Sequence, residues 1–203
     1  MSKLNTSALL LLGGRSLRMG SDKAMLRIGD QTFLGRIAHK LAMLTDDLVI
    51  VGPHTTAYVE AVSPLPVRFV ADVFANCGPL GGLHAGLQAI QNPSAIVVAC
   101  DMPLVNVDLL KYMAGLLGAY DAVVPQDVGG WHPLHAVYHQ RCVTRIEDML
   151  NAGDAGDLRM QSLIKHLNVH TLKPEEMRHF DPQGLSLKNV NTPNELAALG
   201  ALQ

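Results

Sequence analysis

The segment that decides the fold runs from residue 8 to residue 23 and reads ALLLLGGRSLRMGSDK. Its first part, 8–12, is entirely apolar and predicts a short strand that is buried on both faces. Gly13 and Gly14 follow directly and permit a tight turn in which backbone N–H groups approach an anion. Three cations come next in the same segment: Arg15, Arg18 and Lys23. The pattern predicts a loop that binds a nucleoside triphosphate, and a solvated glycine-rich turn is the alternative.

The composition of the chain limits what this loop can bind. The 203 residues include 16 Lys+Arg and 18 Asp+Glu, which gives a formal net charge of -2, and only 4% of them are aromatic. A nearly neutral chain has no overall field that attracts a nucleic acid or an anionic membrane, and few aromatic side chains argue against base stacking. We therefore expect neither partner. No run approaches the roughly 20 apolar residues of a membrane span, and three cysteines without a C-x-x-C motif predict reduced thiols and a cytoplasmic location.

Short apolar runs alternate with amphipathic segments beyond this first loop. Further buried strands are predicted at 48–51, 67–71, 95–99 and 122–124. Between them, apolar residues recur at helical spacing, as in the series Leu34, Ile37, Leu41, Leu44 and the series Leu80, Leu83, Leu87, Ile90. This alternation predicts an α/β fold with a doubly wound, mostly parallel sheet, whose ligands bind beyond the carboxyl ends of the strands.

The second half of the chain is less regular. We expect a strand at 135–138 and a helix at 143–150. Asp157 is the predicted N-cap of a helix that extends to residue 166, and Thr192 that of a last helix at 193–199. Since no repeat or low-complexity linker interrupts the sequence, we expect a single domain that spans residues 1–203.

The spacing of the glycines excludes two common phosphate-binding loops. A Walker A loop requires G-x4-G-K-[ST], whereas Gly14 and Gly20 are separated by five residues and the lysine comes later. A dinucleotide fingerprint requires G-x-G-x-x-G, whereas Gly13 and Gly14 are adjacent. The first loop is therefore typical neither of P-loop ATPases nor of nicotinamide-dependent enzymes.

The loop resembles the L-A-G-G-x-S-x-R-M-G-x-D-K signature of molybdenum cofactor guanylyltransferases. It departs from that signature at Leu12, where the family usually has Ala. Related cytidylyltransferases usually carry L-A-A-G, so that the pair Gly13-Gly14 favours guanine. The resemblance covers nearly the whole chain and implies a Rossmann-like nucleotidyltransferase with three α/β/α layers.

Two further motifs follow predicted strands. Asp72 precedes the glycine-rich segment 78–83, which by itself could be an ordinary connection from strand to helix. The family has D…G-P-L-x-G here, and the resemblance assigns Asp72 to guanosine binding. Asp101 stands at a strand's carboxyl end in C-D-M-P, where a carboxylate can ligate Mg²⁺ or simply stabilise a turn. The family's C-D-x-P motif assigns Asp101 to Mg²⁺ and leaves Cys100 as a packing neighbour.

The second half carries two matches that concern the other substrate. The family's H-P-x-x-A motif begins here at His132 and implies a position near the pterin, although Gly130-Trp131 replaces an arginine-containing segment found in many members. Asn189 and Asn191 belong to a match of the family's N-V-N-T-P, whose asparagines lie at the active site. One family residue is missing, since Gly52 stands where an asparagine often contacts the nucleotide.

The resemblance implies transfer of GMP from GTP to molybdenum-molybdopterin, with release of pyrophosphate and Mg²⁺ as cofactor. It assigns catalysis to three residues, Arg18, Lys23 and Asp101. It assigns nucleotide binding to Leu11, Leu12, Gly13, Gly14, Lys23, Asp72 and Asp101. Apo-molybdoenzymes or their chaperones are the implied protein partners. The alternatives are a related enzyme that uses CTP or a sugar-phosphate acceptor, and a nucleotide-binding homologue without catalysis.

Overall fold

The structure is a computed structural model that describes residues 3–13, 22–74, 77–152, 157–191 and 195. Its strands are β1 (Ser7–Leu11), β2 (Arg27–Ile28), β3 (Gln31–Thr32), β4 (Leu48–Val51), β5 (Val67–Val70), β6 (Ser94–Ala99), β7 (Ala122–Asp127), β8 (Gly130–Trp131), β9 (His135–His139) and β10 (Val169–Leu172). A 3-10 turn spans Lys23–Met25. The helices are α1 (Phe33–Ala42), α2 (Thr56–Val62), α3 (Pro79–Ala89), α4 (Val107–Leu116), α5 (Cys142–Asn151), α6 (Met160–Lys165) and α7 (Pro174–Met177).

One large sheet organises these elements in the order β10-β7-β9-β6-β1-β4-β5, with β8 paired to β7. The strands β6, β1, β4 and β5 run parallel to one another, as do β7 and β10. Strand β9 lies antiparallel between β6 and β7. Because β6 and β7 both oppose β9, they point the same way, and their carboxyl ends share one edge with those of β1, β4 and β5. The predicted, mostly parallel sheet is therefore confirmed.

Side chains of the central strands alternate between two apolar cores, one on each face of the sheet. In β1, Ala8 and Leu10 belong to the core that includes the buried faces of α1 and α4. Leu9 and Leu11 belong to the opposite core, together with α3, α5 and α6. Since both faces are covered, every residue of β1 is buried, which explains the apolar run that follows Ser7. These layers confirm the expected three-layer doubly wound fold.

The predicted elements agree with the structure except around residue 157. The predicted strands and the helix at 143–150 match β1, β4, β5, β6, β7, β9 and α5 within a few residues. Asp157 is not the N-cap of α6, because that helix begins at Met160 after Arg159. The Asp157 carboxylate instead accepts hydrogen bonds from the Arg159 backbone and side chain and from the Ser162 hydroxyl, so it orders the turn before the helix. The predicted last helix, 193–199, lies outside the described residues apart from residue 195.

Two further properties of the sequence can be compared with the structure. Cys100 and Cys142 are buried free thiols, as the spacing of the cysteines predicted. Within the described parts of the chain, the helices are too short or too polar to cross a membrane.

A buried carboxylate ties the strands together at the edge opposite the carboxyl ends. Asp47 immediately precedes β4 and is only 6% exposed. It accepts hydrogen bonds from the Ser7 hydroxyl at 2.5 Å, from the Gln91 backbone at 2.8 Å and from the Arg68 guanidinium. Burial raises the pKa of this carboxyl, but the three donors outweigh burial and hold the pKa below its ordinary value. The ionised form of Asp47 thus stabilises the junction of β1, β4 and β5.

Asp47→Ala is expected to lower the free energy of unfolding by about 3 kcal/mol at pH 7, because it leaves several buried donors without an acceptor. Since the pKa of Asp47 is lower in the folded state, its contribution is complete above the ordinary value of 3.8 and is lost as the pH falls through the lowered pKa. Urea unfolding at a series of pH values measures both effects. Asp46→Ala is the matched control, since the Asp46 side chain is 83% exposed. Equal unfolding midpoints for the two variants would contradict this role.

Candidate active site

The carboxyl ends of β1, β4, β5 and β6 form one continuous edge, and most of the predicted site residues lie on it. Leu12, Asp72 and Asp101 each follow the end of a strand of this parallel group, and Gly52 does the same after β4. Neighbouring strands are about 4.8 Å apart, so the span from β6 to β5 is about 14 Å. The structure thus brings Leu12, Asp72 and Asp101, which come from three separate sequence motifs, to one edge of the sheet.

Asp101 lies where three distant segments of the chain meet. Just before it, the Cys100 backbone N–H donates to the Leu11 carbonyl at 3.0 Å and so fixes the end of β6 against β1. The Asp101 carbonyl accepts a hydrogen bond of 2.8 Å from the Val190 N–H. Its carboxylate is partly buried, and Oδ2 lies 3.9 Å from Nζ of Lys23. Burial raises the pKa of Asp101, while the Lys23 charge acts in the opposite direction.

Lys23 connects the first loop with the C-terminal segment. Its side chain is 16% exposed, and Nζ donates a hydrogen bond of 2.5 Å to Oδ1 of Asn191. Asn191 is held in turn by its backbone N–H, which donates to the Glu195 carboxylate at 2.6 Å. Lys23, Asp101 and Asn191, three residues predicted from separate motifs, therefore surround one point of the edge. Asn189 is exposed and lies one residue before Val190.

The backbone at Lys23 is held by a contact that the sequence did not reveal. Asp22 is the N-cap of the turn Lys23–Met25, and its Oδ1 accepts a hydrogen bond from the Ala24 N–H at 3.1 Å. Its Oδ2 accepts a hydrogen bond of 2.7 Å from the Tyr58 hydroxyl of α2. Burial and the neighbouring Asp22 charge raise the pKa of Tyr58, so the phenol remains a donor at neutral pH.

Cys100 is adjacent to Asp101 but is not suited to nucleophilic chemistry. It is 4% exposed and belongs to the core on the α1 face. Burial raises the pKa of its thiol to about 11, although a hydrogen bond with the Gly13 backbone acts against this. The thiolate is therefore scarce at neutral pH, in agreement with the prediction that Cys100 is a packing residue.

The Asp72 turn packs against the first turn of α3. Asp72 is exposed, and its Oδ1 accepts a hydrogen bond from the Phe74 N–H at 3.0 Å. Gly78 precedes the helix with a φ of 62°, and Pro79 occupies its first turn. A Cβ at Gly81 would lie 2.8 Å from Asp72 Oδ1 and 3.1 Å from the Phe74 carbonyl oxygen. The glycine-rich motif thus lets the helix approach the turn that carries Asp72.

His132 lies at the same edge, beyond β6. Its Nε2 is 2.9 Å from Oδ2 of Asp127 at the end of β7, and its backbone N–H donates to the Pro125 carbonyl at 2.8 Å. Strand β9 begins only at His135, which is completely buried. Burial lowers the pKa of His135 to about 4, so this imidazole is neutral at neutral pH. Of the two histidines, His132 is therefore the one that can reach a ligand.

The remaining predicted residues divide into two groups. Leu11 is buried in β1, and the Leu12 N–H donates to the Val51 carbonyl at 2.9 Å, so the sheet uses these backbone groups. Gly13 is exposed at the end of the strand. The other predicted residues lie outside the described residues: Gly14, Arg15, Arg18, Thr192 and Pro193.

The surroundings of Asp101 suit a divalent cation that is held partly by a substrate, and not one that is held by protein ligands alone. Within the described ranges, no group of three or more His, Cys, Asp or Glu side chains could hold a metal ion. The Asp101 carboxylate is partly exposed, and its ammonium neighbour at 3.9 Å is too distant for a direct hydrogen bond. Mg²⁺ is commonly held by one or two carboxylates and completed by substrate phosphates and water. The residues present therefore fit a cation that binds together with a phosphate ligand.

The chain is similar to proteins of one family over most of its length. Residues 8–171 match the family described as the MobA-like NTP transferase domain. The molybdenum cofactor guanylyltransferase of Syntrophotalea carbinolica is 35% identical over 188 residues, which cover 92% of this chain and 86% of that protein. These matches include the segments that carry Asp72 and Asp101.

Solved structures share the fold at lower identity. Molybdopterin-guanine dinucleotide biosynthesis protein A from Archaeoglobus fulgidus superposes with a TM-score of 0.81 at 24% identity, covering 97% of this chain and 98% of that one. Rv0371c from Mycobacterium tuberculosis H37Rv, solved in complex with manganese, has a TM-score of 0.60 at 18% identity and covers 85% and 89% of the two chains. A protein of similar fold thus binds a divalent metal.

Proposed function

We propose that this chain, which belongs to the MobA-like NTP transferase family, transfers GMP from GTP to molybdenum-molybdopterin. The products would be pyrophosphate and the molybdopterin guanine dinucleotide cofactor. The observation that carries this proposal is the meeting of Lys23, Asp101 and Asn191 at the carboxyl ends of β1 and β6. A cation, a carboxylate and an amide at one point are suited to binding a triphosphate with its metal ion.

The chemistry requires positioning and charge neutralisation more than a covalent nucleophile. A terminal phosphate oxygen of molybdopterin attacks the α-phosphorus of GTP, a new P–O bond forms, and the bond to the departing pyrophosphate breaks. Lys23, with its ammonium held by Asn191, stabilises negative charge on the phosphates in the transition state. The attacking phosphate is already ionised near neutral pH, so no general base is needed. This agrees with a site in which Cys100 is a buried thiol.

Asp101 is the residue that would hold Mg²⁺. When bound there, the cation would neutralise phosphate charge and favour release of pyrophosphate. The pKa of Asp101 is raised by burial, and a bound cation would favour its ionised form. We include Arg18 in the catalytic set on the basis of the sequence motif alone.

The two substrates would occupy opposite parts of the edge. We assign the nucleoside to the β1–β4–β5 part, where Asp72 would bind the guanosine and the backbone of residues 11–14 would contact the nucleotide. We assign the pterin to the part near β7, where His132 lies, with Asn189 and Asn191 between the two. This arrangement would bring the attacking phosphate and the α-phosphate together near Asp101.

Three broader proposals accompany this function. We propose that residues 1–203 act as one nucleotidyltransferase domain, since one sheet incorporates all the described strands from β1 to β10 except β2 and β3, which pair with each other. The free thiols of Cys100 and Cys142 and a nucleotide substrate favour a cytoplasmic reaction. The product is a cofactor of other enzymes, so apo-molybdoenzymes or their chaperones are the proposed recipients.

The function is tested by incubating the purified protein with molybdenum-molybdopterin, Mg²⁺ and either GTP, CTP or ATP, and by measuring pyrophosphate and the dinucleotide product. We expect product with GTP. Product with CTP alone would identify a cytidylyltransferase instead. Binding of GTP and Mg²⁺ without pyrophosphate release would identify a nucleotide-binding homologue and contradict the catalytic proposal.

Gly81→Ala is expected to raise KM for GTP about tenfold with a smaller effect on kcat, because the new Cβ displaces the Asp72 carboxylate. Steady-state kinetics with GTP as the varied substrate measure this effect. Gly115→Ala is the matched control, since Gly115 is also helical but has no atom within 4 Å of an added Cβ. If both variants keep the native KM, the Asp72 turn does not bind the nucleoside.

A further inference from the structure

Leu12 and Gly52 occupy equivalent positions at the ends of neighbouring parallel strands. The Leu12 N–H donates to the Val51 carbonyl and the Gly52 N–H donates to the Val70 carbonyl, both at 2.9 Å. These bonds continue the sheet ladder one residue beyond β1 and β4. The two residues are therefore held by the backbone of the sheet, and each one's position is fixed relative to the other.

The Leu12 side chain fills the space that a side chain at position 52 would need. A Cβ built on Gly52 would lie 2.8 Å from Leu12 Cβ, 3.1 Å from its Cδ1 and 3.2 Å from its Cγ. The φ of Gly52 is 151°, which side chains rarely adopt. Leucine at position 12 is thus compatible with glycine at position 52, and a larger residue at position 52 would require Leu12 to move.

This pair lies on the path that the proposed nucleotide must follow. Lys23 and Asp101 mark the phosphate end beside β6, and Asp72 marks the nucleoside end at β5, about 14 Å away across four strands. Between these ends, the described residues that directly follow β1 and β4 are Leu12, Gly13, Gly52 and Pro53. None of these four carries a polar side chain. A nucleoside that extends from the phosphates to Asp72 would therefore pass an apolar part of the edge.

We infer that Leu12 and Gly52 form a matched pair that positions the nucleoside of the substrate. Leu12 is partly buried and packs on the core of the α1 face, which keeps it from rotating freely. Its remaining exposed surface would provide an apolar contact for a purine nucleoside, and Gly52 would leave room for that ligand and for Leu12 together. The identity of the ligand in this inference rests on the proposed function, whereas the packing of Leu12 against Gly52 is independent of it.

The packing is tested without any nucleotide, by a double-mutant cycle in thermal unfolding. Gly52→Ala is expected to lower Tm by about 4–8 °C through backbone strain and the collision with Leu12. In a Leu12→Ala background the same change should cost less than half as much, since the strain remains but the collision is removed. Gly29→Ala is the control, because Gly29 also has a positive φ of 58° but nothing within 4 Å of an added Cβ. Its effect should be equal in both backgrounds.

The positioning role is tested by steady-state kinetics. Leu12→Ala is expected to raise KM for GTP about fivefold to tenfold with kcat within about twofold, because an apolar contact is made equally in the ground and transition states. Leu12→Met should restore most of the native KM. An effect on folding alone would leave KM of the remaining folded enzyme unchanged and would overturn the positioning role.

The outcomes separate this inference from the proposed function. Additive effects of Leu12→Ala and Gly52→Ala on Tm would overturn the matched pair, whatever the enzyme does. If the native protein fails to bind GTP in equilibrium dialysis, the proposed function is wrong, and so is the proposed ligand of the pair. The double-mutant cycle would still show whether Leu12 and Gly52 pack against each other. Coupled Tm values together with a raised KM for Leu12→Ala would support both.

Discussion

Asp101→Asn is expected to lower kcat for dinucleotide formation at least about a hundredfold, because it removes the negative charge proposed to hold Mg²⁺ while it keeps the size of the side chain. The hydrogen bond from the Val190 N–H goes to the Asp101 backbone carbonyl and is retained in the variant. The local structure should therefore be preserved. Pyrophosphate release with saturating GTP and molybdopterin, followed over a range of Mg²⁺ concentrations, measures the effect.

Stability distinguishes a catalytic loss at Asp101 from misfolding. Burial raises the pKa of this carboxyl, so its ionised form is less favourable in the folded protein than in water. A neutral amide at this position is expected to leave Tm equal or slightly higher. Asp108→Asn is the control, because Asp108 is an exposed carboxylate in the first turn of α4. A kcat for Asp101→Asn within a few-fold of the native value would contradict the assignment of the metal to Asp101.

The strands were predictable because most of them are buried on both faces. A strand between two helical layers, such as β1, β4 or β6, needs apolar residues at nearly every position, and the sequence of each contains a short uninterrupted apolar run. The position of β9 within the sheet was harder to predict. Its sequence predicts a strand, but its antiparallel position between β6 and β7 depends on pairings such as Val98 with His135, which are distant along the chain.

The candidate site was predictable where each residue lies directly after a strand. Asp72 and Asp101 could be placed on one edge because parallel strands end together. The contacts that fix their neighbours could not be predicted, since they join residues far apart in sequence. The hydrogen bond between Asp22 and Tyr58 joins the first loop to α2, and the one between Lys23 and Asn191 spans 168 residues.

The departures from the family motif illustrate the same limit. Leu12 and Gly52 are each unusual when considered alone, and nothing in their spacing shows that they touch. They meet because β1 and β4 are neighbours in register, with Leu11 opposite Val51. In the structure the larger residue at one position occupies the volume left by the smaller residue at the other. The two departures from the family motif, at positions 12 and 52, are therefore one coupled change in local packing.

Lys23→Ala is also expected to lower kcat at least about a hundredfold, because it removes the positive charge that we propose to face the phosphates. The Lys23 side chain is mostly buried and its ammonium is fixed by Asn191, so the charge acts in a site with little water. Lys111→Ala is the control, since Lys111 is exposed on α4. Single-turnover measurements with excess enzyme separate the chemical step from GTP binding.

A second consequence of Lys23→Ala concerns Asp101 and is independent of the rate. The Lys23 charge lowers the pKa of Asp101 against the effect of burial, so its removal should raise that pKa further. A protonated carboxyl cannot ligate a cation, and metal binding should therefore weaken at a higher pH in the variant than in the native protein as the solution is acidified. Titration of Mn²⁺ binding in the presence of GTP at several pH values measures this shift. If the two proteins lose Mn²⁺ at the same pH, Lys23 and Asp101 do not share one electrostatic site, and the rate loss of Lys23→Ala would need another cause.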